Sequence, residues 1–230
     1  MQVYGVSYKY TVKKTVIILL FLIVLQSLTA IGQKAINFPL SKGNYWVYEG
    51  KVKWTSSGSS TVKEKEVQWK MEVTDVIKRE HLTAAIIKGY PLDLAWYSDS
   101  TKRGNYIILF DSTRYHLIEE YHFKEVLTRL QNGKDSLQNI ATNDNLLLDF
   151  PLNKDKIFPD ASMTHDVMYN WVVDDILLLG KSKQYIVSYR SHPDYISFQF
   201  SLGKGITRFK YHHNGTISEF DVKLVDSKIN

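Results

Sequence analysis

Seven histidines, His81, His116, His122, His165, His192, His212 and His213, are the residues of this chain best suited to holding a metal or moving a proton. A zinc site on a helix asks for two histidines at i and i+4 on one face, as in His-Glu-x-x-His. No two of the seven have that spacing, and His116 and His122 flank a change from strand to helix pattern. His212 and His213 are neighbours, so in a regular strand their rings point to opposite faces. We therefore expect no metal, no other cofactor, and histidines that fill solvated faces.

Nucleophilic and acid/base chemistry are equally hard to place. There is no Gly-x-Ser-x-Gly elbow. Asp166, Asp174 and Asp175 offer carboxylates, but "VVDDI" also reads as a strand end or bulge, and carboxylates without a second positioned group make no mechanism. "GKGITRF" has the glycines of a phosphate loop without the Lys-Ser/Thr and the helix that a P-loop needs. Cysteine is absent, which removes disulfides, thiolate catalysis, Cys-containing zinc sites and iron-sulfur clusters. No catalytic residue is assigned.

The aromatics carry more. Trp46, Tyr48, Trp54, Trp69, Trp96, Tyr97, Tyr169, Trp171, Tyr185 and Tyr189 fall in strand-like runs, where large amphipathic rings can line a groove for lipid, glycan or peptide. The same rings more readily fill the core of a β protein without disulfides, since aromatics most often serve packing. Trp46, Trp96, Trp171 and Tyr185 are the candidate ligand-binding residues.

Positioning these residues falls to a chain of two unlike parts. Lys9, Lys13 and Lys14 precede the apolar run Val16–Leu25, and Ala30-Ile31-Gly32 closes it with small residues, the order of a secretory signal over residues 1–32. Ten apolar residues fall well short of the about 20 that span a bilayer. The expectation is a secreted protein, periplasmic or extracellular in a bacterium, with no stable membrane span after cleavage. Without a cysteine to acylate, it is expected not to be lipid-anchored. The signal holds three of the 29 Lys+Arg and none of the 24 Asp+Glu, so residues 33–230 are nearly neutral. That gives no reason to expect a nucleic-acid partner.

Residues 33–230 alternate. "DYISFQFSL" puts Ile196, Phe198, Phe200 and Leu202 on one side and Tyr195, Ser197, Gln199 and Ser201 on the other. Similar runs at 44–54, 61–77, 82–90, 92–98, 105–118, 166–178, 183–190, 194–202, 206–213 and 216–225 predict antiparallel β-structure. One helix interrupts them at 120–131, where Phe123, Val126, Leu127 and Leu130 fall at i, i+3, i+4 and i+7 before the stop Asn132-Gly133. "NFPLSKGN" and "DFPLNKDK" share Phe-Pro-Leu-x-Lys, and "VTDVIKREHLTAAIIKGYPLDLAWYS" can be laid beside "VVDDILLLGKSKQYIVSYRSHPDYISFQFS". Two repeats, 37–131 and 145–230, within one β-rich domain are the expectation. Asn214-Gly215 predicts a two-residue type I′ hairpin pairing Phe209 with Phe220, Lys210 with Glu219 and Arg208 with Asp221.

The opening "FPLSKGNYWVYEG" and the closing "SLGKGITRFKYHHNGTISEFDVKL" resemble a loosely defined group of exported bacterial envelope β-proteins. Their pattern is Phe-Pro-Leu-x-x-Gly-x-x-Trp-x-Tyr early, matched by Phe38, Pro39, Leu40, Gly43, Trp46 and Tyr48. It ends on Gly-x-Gly and a last hairpin, matched by Gly203 and Gly205. The resemblance implies a fold and a compartment and transfers no catalytic residue. The expected architecture is mostly β, an antiparallel curved sheet or incomplete barrel of two similar halves with one helix. The expected function is a non-enzymatic envelope binding or interaction protein, its partner an envelope component or a small apolar or glycan ligand. The rivals are a hydrolase of envelope polymers and a structural component of a surface assembly.

Overall fold

The computed structural model describes residues 38–55, 60–79, 82–111, 113–133, 139–159 and 168–230. The expected signal segment, His81 and His165 lie outside them. Twelve strands and one helix follow in order. They are β1 (Tyr45–Thr55), β2 (Val62–Lys78), β3 (Thr83–Lys88), β4 (Asn105–Phe110), β5 (Arg114–Ile118), α1 (Glu120–Asn132), β6 (Leu146–Asp149), β7 (Ile157–Phe158), β8 (Trp171–Leu179), β9 (Ser182–Arg190), β10 (Asp194–Ser201), β11 (Gly205–His213) and β12 (Ser218–Lys228).

All twelve strands form one antiparallel sheet in the order β6-β5-β4-β3-β2-β1-β12-β11-β10-β9-β8-β7. Each half is thus a six-strand meander, and the halves join where β1 pairs with β12 along its whole length. The free edges, β6 and β7, curl round to meet. Lys156 ties them, its ammonium 3.1 Å from the Asp149 carboxylate and 3.1 Å from the Pro151 carbonyl. The result is a nearly closed barrel whose two edges are joined by side chains rather than by a ladder.

Alternation decides what faces the inside. Trp46, Tyr48, Val52 and Trp54 on β1, Trp69, Met71 and Val73 on β2, Phe198 and Phe200 on β10, and Phe209 and Tyr211 on β11 all point into one buried core. Aromatic pairs knit it together, with Phe38 edge-on to Trp46 at 5.9 Å and to Phe200 at 5.5 Å. Strands β3 and β4 are apolar on both faces, as "TAAIIK" and "NYIILF" announce. Their outer residues Ala84, Ile86, Ile107 and Leu109 need a second cover, and Val126 and Leu130 of α1 supply it. Phe123 and Leu127 pack at its edge, and Gly133 in the left-handed region (φ 71°) ends the helix.

The registers give the barrel two ends. At one, here the base, lie the start of β1, the end of β12 and the Phe38-Pro39-Leu40 and Phe150-Pro151-Leu152 segments, with Phe38, Leu40 and Leu152 buried. At the other, the mouth, lie the β3–β4 connection, the start of α1, the start of β6 and the β9–β10 and β11–β12 turns.

The two halves repeat one local device. Gly43 N–H bonds the Val73 carbonyl and Val73 N–H the Asn44 carbonyl; Asp155 and Lys156 do the same with Val173. Gly43 and Asp155 both have positive φ (86° and 63°). The ladder slips between Val73 and Asp75 and again between Val173 and Asp175. Lys42 reaches Asp75 at 2.9 Å and Lys154 reaches Asp175 at 3.1 Å. A bulge displaces one residue from the ladder and turns its neighbour outward, and here it aims an aspartate at the lysine of each Phe-Pro-Leu-x-Lys segment.

The expected elements differ from the structure in four places. Residues 105–118 are two strands, broken where Asp111 Oδ1 accepts the N–H groups of Thr113 (2.7 Å) and Arg114 (2.8 Å), an Asx turn. The expected strand at 92–98 is a 3-10 turn over Pro91–Leu94, since proline at its start and the Asp93 carboxylate favour a turn. The short strands β6 and β7 are additional. Finally, the Asn214-Gly215 turn is four residues long, so Lys210 faces Asp221, Tyr211 faces Phe220 and Phe209 faces Val222. A slip of two leaves every side chain on its face, so alternation cannot distinguish the registers. Contacts outside the hairpin decide. Asn214 N–H bonds the Pro193 carbonyl (2.9 Å), Thr55 N–H the Ile217 carbonyl (3.0 Å), and Trp96 N–H the Ser218 hydroxyl (3.0 Å). Glu219 then pairs with Lys53 rather than Lys210, and Arg208 still reaches Asp221, diagonally.

Candidate functional site

A cavity of about 180 Å³ lies at the mouth, where β6 approaches β8 and β9 without pairing. Its walls are Leu146 and Leu147 of β6, Trp171 of β8, Tyr189 of β9, Ile196 of β10 and Phe209 of β11, with Leu92 and Tyr90 above them. The 3-10 turn places these last two. Pro91 and Leu94 are buried, and Asp93 pins the turn to β4 by accepting Tyr106 O–H (2.7 Å) and Gly104 N–H (2.9 Å). Burial raises the Asp93 carboxyl above its ordinary value, and these two bonds partly offset the rise.

Two features make the cavity more than a packing gap. Tyr90 is 1% exposed, and its hydroxyl has no hydrogen-bond partner among the described residues. Burial, then the charge of Glu119, pushes that hydroxyl far above the ordinary tyrosine range, so it stays protonated and able to donate. A buried hydroxyl left unpaired costs about 1–3 kcal/mol, and an acceptor atom brought within its reach would recover that cost. The rim is acidic and polar, with Glu119, Asp144 and Asn145 around an otherwise apolar wall. Burial, followed by Tyr169 and Asp144, raises Tyr189 as well.

The four sequence-predicted ligand residues lie in three places. Trp171 lines the cavity, half-buried against Tyr189 (5.2 Å) and Phe198 (5.3 Å). Trp46 is fully buried towards the base, its indole N–H donating to the Lys204 carbonyl at 2.6 Å. Tyr185 is buried on β9 opposite Phe200 and Ile176. Trp96 is 57% exposed at the mouth, outside the cavity lining, with φ 60°. Its ring stands edge-on to His213 at 4.4 Å. Tyr90, Leu146, Leu147 and Phe209 were not among the candidates. An apolar triplet, "LLLD", in a polar stretch was the available signal for β6; nothing in the sequence marks the orphan hydroxyl.

His213 completes a small polar cluster. Its Nδ1 is 2.8 Å from Asp194 Oδ1, which also accepts Tyr211 O–H at 2.7 Å. Burial works to raise the Asp194 carboxyl, but the bonds from His213 and Tyr211 outweigh it and hold the group below its ordinary value. Among the described residues no serine or threonine hydroxyl bonds to His213. His116 is buried against the Thr142 carbonyl (3.0 Å). Among the described residues no three His, Asp or Glu converge as a metal site requires.

A larger hollow, about 420 Å³, crosses the outer face over β1, β12, β11 and β10. Its charges are spent on one another, in Lys51–Glu64 (2.8 Å), Lys53–Glu219 (2.9 Å) and Lys210–Asp221 (3.6 Å). Exposed pairs of this kind make a solvated surface, and size alone does not make it a site. The mouth cavity is the better candidate.

Fold and cavity together define an incomplete twelve-stranded antiparallel barrel with a small apolar pocket at one end. No protein-family model and no curated protein matches the chain. Among solved structures it is similar to a candidate lipoprotein of Parabacteroides distasonis ATCC 8503, at 14% identity and a TM-score of 0.36, covering 84% of this chain and 99% of that one. It is also similar to a candidate exported protein with a YmcC-like fold from Bacteroides fragilis NCTC 9343, at 10% identity and a TM-score of 0.38, with the same coverage. Among the described residues no helix is long and apolar enough to cross a membrane.

Proposed function

We propose that this chain is an exported, non-enzymatic binding protein of the bacterial envelope that takes the apolar end of a small ligand into the mouth cavity. The aromatic and apolar walls of that cavity, with polar groups at its rim, carry the reading, and Tyr90, whose buried hydroxyl has no partner among the described residues, is one of the residues that line it. An apolar cavity near 150 Å³ holds one benzene ring, so about 180 Å³ suits a single ring or a short alkyl chain with an acceptor atom. Aromatic walls with polar groups confined to the rim favour such a ligand over a glycan, whose hydroxyls would be left unpaired inside. A hydrolase would need a nucleophile at the Asp194–His213 pair, and a purely structural role gives no account of the buried hydroxyl.

Native mass spectrometry of protein purified from its own envelope tests this. A retained small molecule is expected in the wild type, and it should be absent from Ile196→Trp, which fills the cavity. Tyr90→Phe should weaken retention and, because it removes an unsatisfied group, should leave the empty protein as stable as the wild type or about 1 kcal/mol more so. A ligand held equally by wild type and Ile196→Trp, or no ligand from any preparation, would overturn the reading.

A further inference from the structure

The base carries the largest run of exposed aliphatic side chains described. Leu178 is 73% exposed, Leu179 57% and Leu177 36%, all at the end of β8, and Leu202 in the β10–β11 turn is 45% exposed. The registers bring the two turns together. Gln184 faces Leu177 on one side and Ser201 on the other, so the β8–β9 and β10–β11 tips project side by side beyond that row. Three lysines, Lys181, Lys183 and Lys204, stand on the same tips, all exposed, and no acid lies within 178–183 or 202–204. The nearest acid in β8, Asp175, is taken by Lys154 at 3.1 Å.

We propose that these two tips dock on an anionic lipid surface, with Leu178, Leu179 and Leu202 entering the interface and Lys181, Lys183 and Lys204 meeting the headgroups. Leucines on two adjoining turns, beside lysines without an acid partner among the described residues, fit lipid better than protein. Protein interfaces enrich aromatics and Arg and deplete Lys, whereas these tips carry leucines and lysines and no aromatic residue. Lysine stems can lie along the apolar layer while their ammonium groups reach the phosphates. The base would then face the membrane and the cavity mouth would face away from it. This holds whatever the cavity binds.

Vesicle sedimentation tests it, using the chain from Gln33 onward, which contains every described strand, the described helix and both described cores. That choice removes the apolar run Val16–Leu25, which would bind lipid by itself. Wild type should pellet with vesicles of phosphatidylcholine containing about one third phosphatidylglycerol and should stay in solution with phosphatidylcholine alone. Raised salt should release it. One lysine near an anionic surface contributes about fivefold, so Lys181→Glu with Lys183→Glu should lower partitioning at least about tenfold. Leu178→Asn with Leu179→Asn should lower it by a similar factor or more. Because these side chains are mostly exposed, both variants should melt with the wild type; Leu202→Asn alone serves if either does not. Absence of wild-type binding to the anionic vesicles, or equal binding by the leucine variants, would overturn the proposal. So would a tip-dependent dimer of this chain that ignores vesicles.

Discussion

Gly50 tests the joint between the halves. It sits in the middle of β1 opposite Val222, and a Cβ built there would lie 2.0 Å from the Asp221 carbonyl oxygen and 2.9 Å from both the Asp221 carbonyl carbon and Val222 Cα. Ordinary contact begins near 3.4 Å, and the opposing atoms are backbone, so β12 must retreat by more than about 1 Å. Such a retreat loosens two or three ladder hydrogen bonds at about 1 kcal/mol each and adds overpacking strain of about 1–3 kcal/mol. Gly50→Ala should therefore cost about 3–6 kcal/mol and lower the melting temperature by roughly 10–20 °C. Urea unfolding followed by the fluorescence of the five tryptophans measures it. Gly43→Ala is the control: its φ is 86° but nothing lies within 4 Å of the added carbon, so only the left-handed penalty of about 1 kcal/mol applies. If Gly50→Ala is no worse than Gly43→Ala, β1–β12 contact is not the joint described.

Two further predictions use the same assay. Burial holds the His116 imidazole below its ordinary 6.5, against the opposing pull of its bond to Thr142, so the folded protein keeps it neutral while the unfolded chain takes up a proton. Stability should be full above about pH 6.5 and fall as pH drops toward the folded value, and His116→Gln should flatten that slope; equal slopes would show that His116 does not set it. Asp155 takes the left-handed conformation that Gly43 takes in the first half, and it is exposed, so Asp155→Gly should stabilise by about 0.5–1 kcal/mol. A loss of stability there would mean the carboxylate has a role beyond its backbone angle.

Much of the barrel was legible because its face pattern is strong. "DYISFQFS" buries Phe198 and Phe200 as alternation requires, and the i, i+3, i+4, i+7 set of α1 buries Val126 and Leu130. The losses came where local pattern is silent. β6 and β7 have four and two residues and owe their pairing to β5 and β8. The β11–β12 register is set by Pro193, Thr55 and Trp96, residues distant in sequence, so its charge pairs were legible only as composition. The site was less legible still. Trp171 was visible as an aromatic in a strand, but whether an aromatic lines a cavity or fills a core depends on what faces it. Trp46 and Trp171 look alike in sequence and differ in that Lys204 lies over one and Leu146 across from the other.

The cavity lies where the halves stop matching. Both carry the bulged second strand, the Phe-Pro-Leu-x-Lys segment and its lysine–aspartate pair, so the base is built twice and filled from both sides by Leu40 and Leu152. At the mouth the corresponding connections diverge. Residues 89–104 between β3 and β4 fold a 3-10 turn inward, burying Leu94 and setting Tyr90 and Leu92 over the interior, whereas β9 and β10 are joined only by Ser191–Pro193. Helix α1 covers the outside of β3 to β5 and the end of β2, all in the first half. An apolar interior roofed from one half and left short of cover from the other must open between them, and it opens beside the unpaired edge of β6. The base is where the two halves share their local devices, and the mouth, where they differ, holds the space lined by Trp171 and Tyr90.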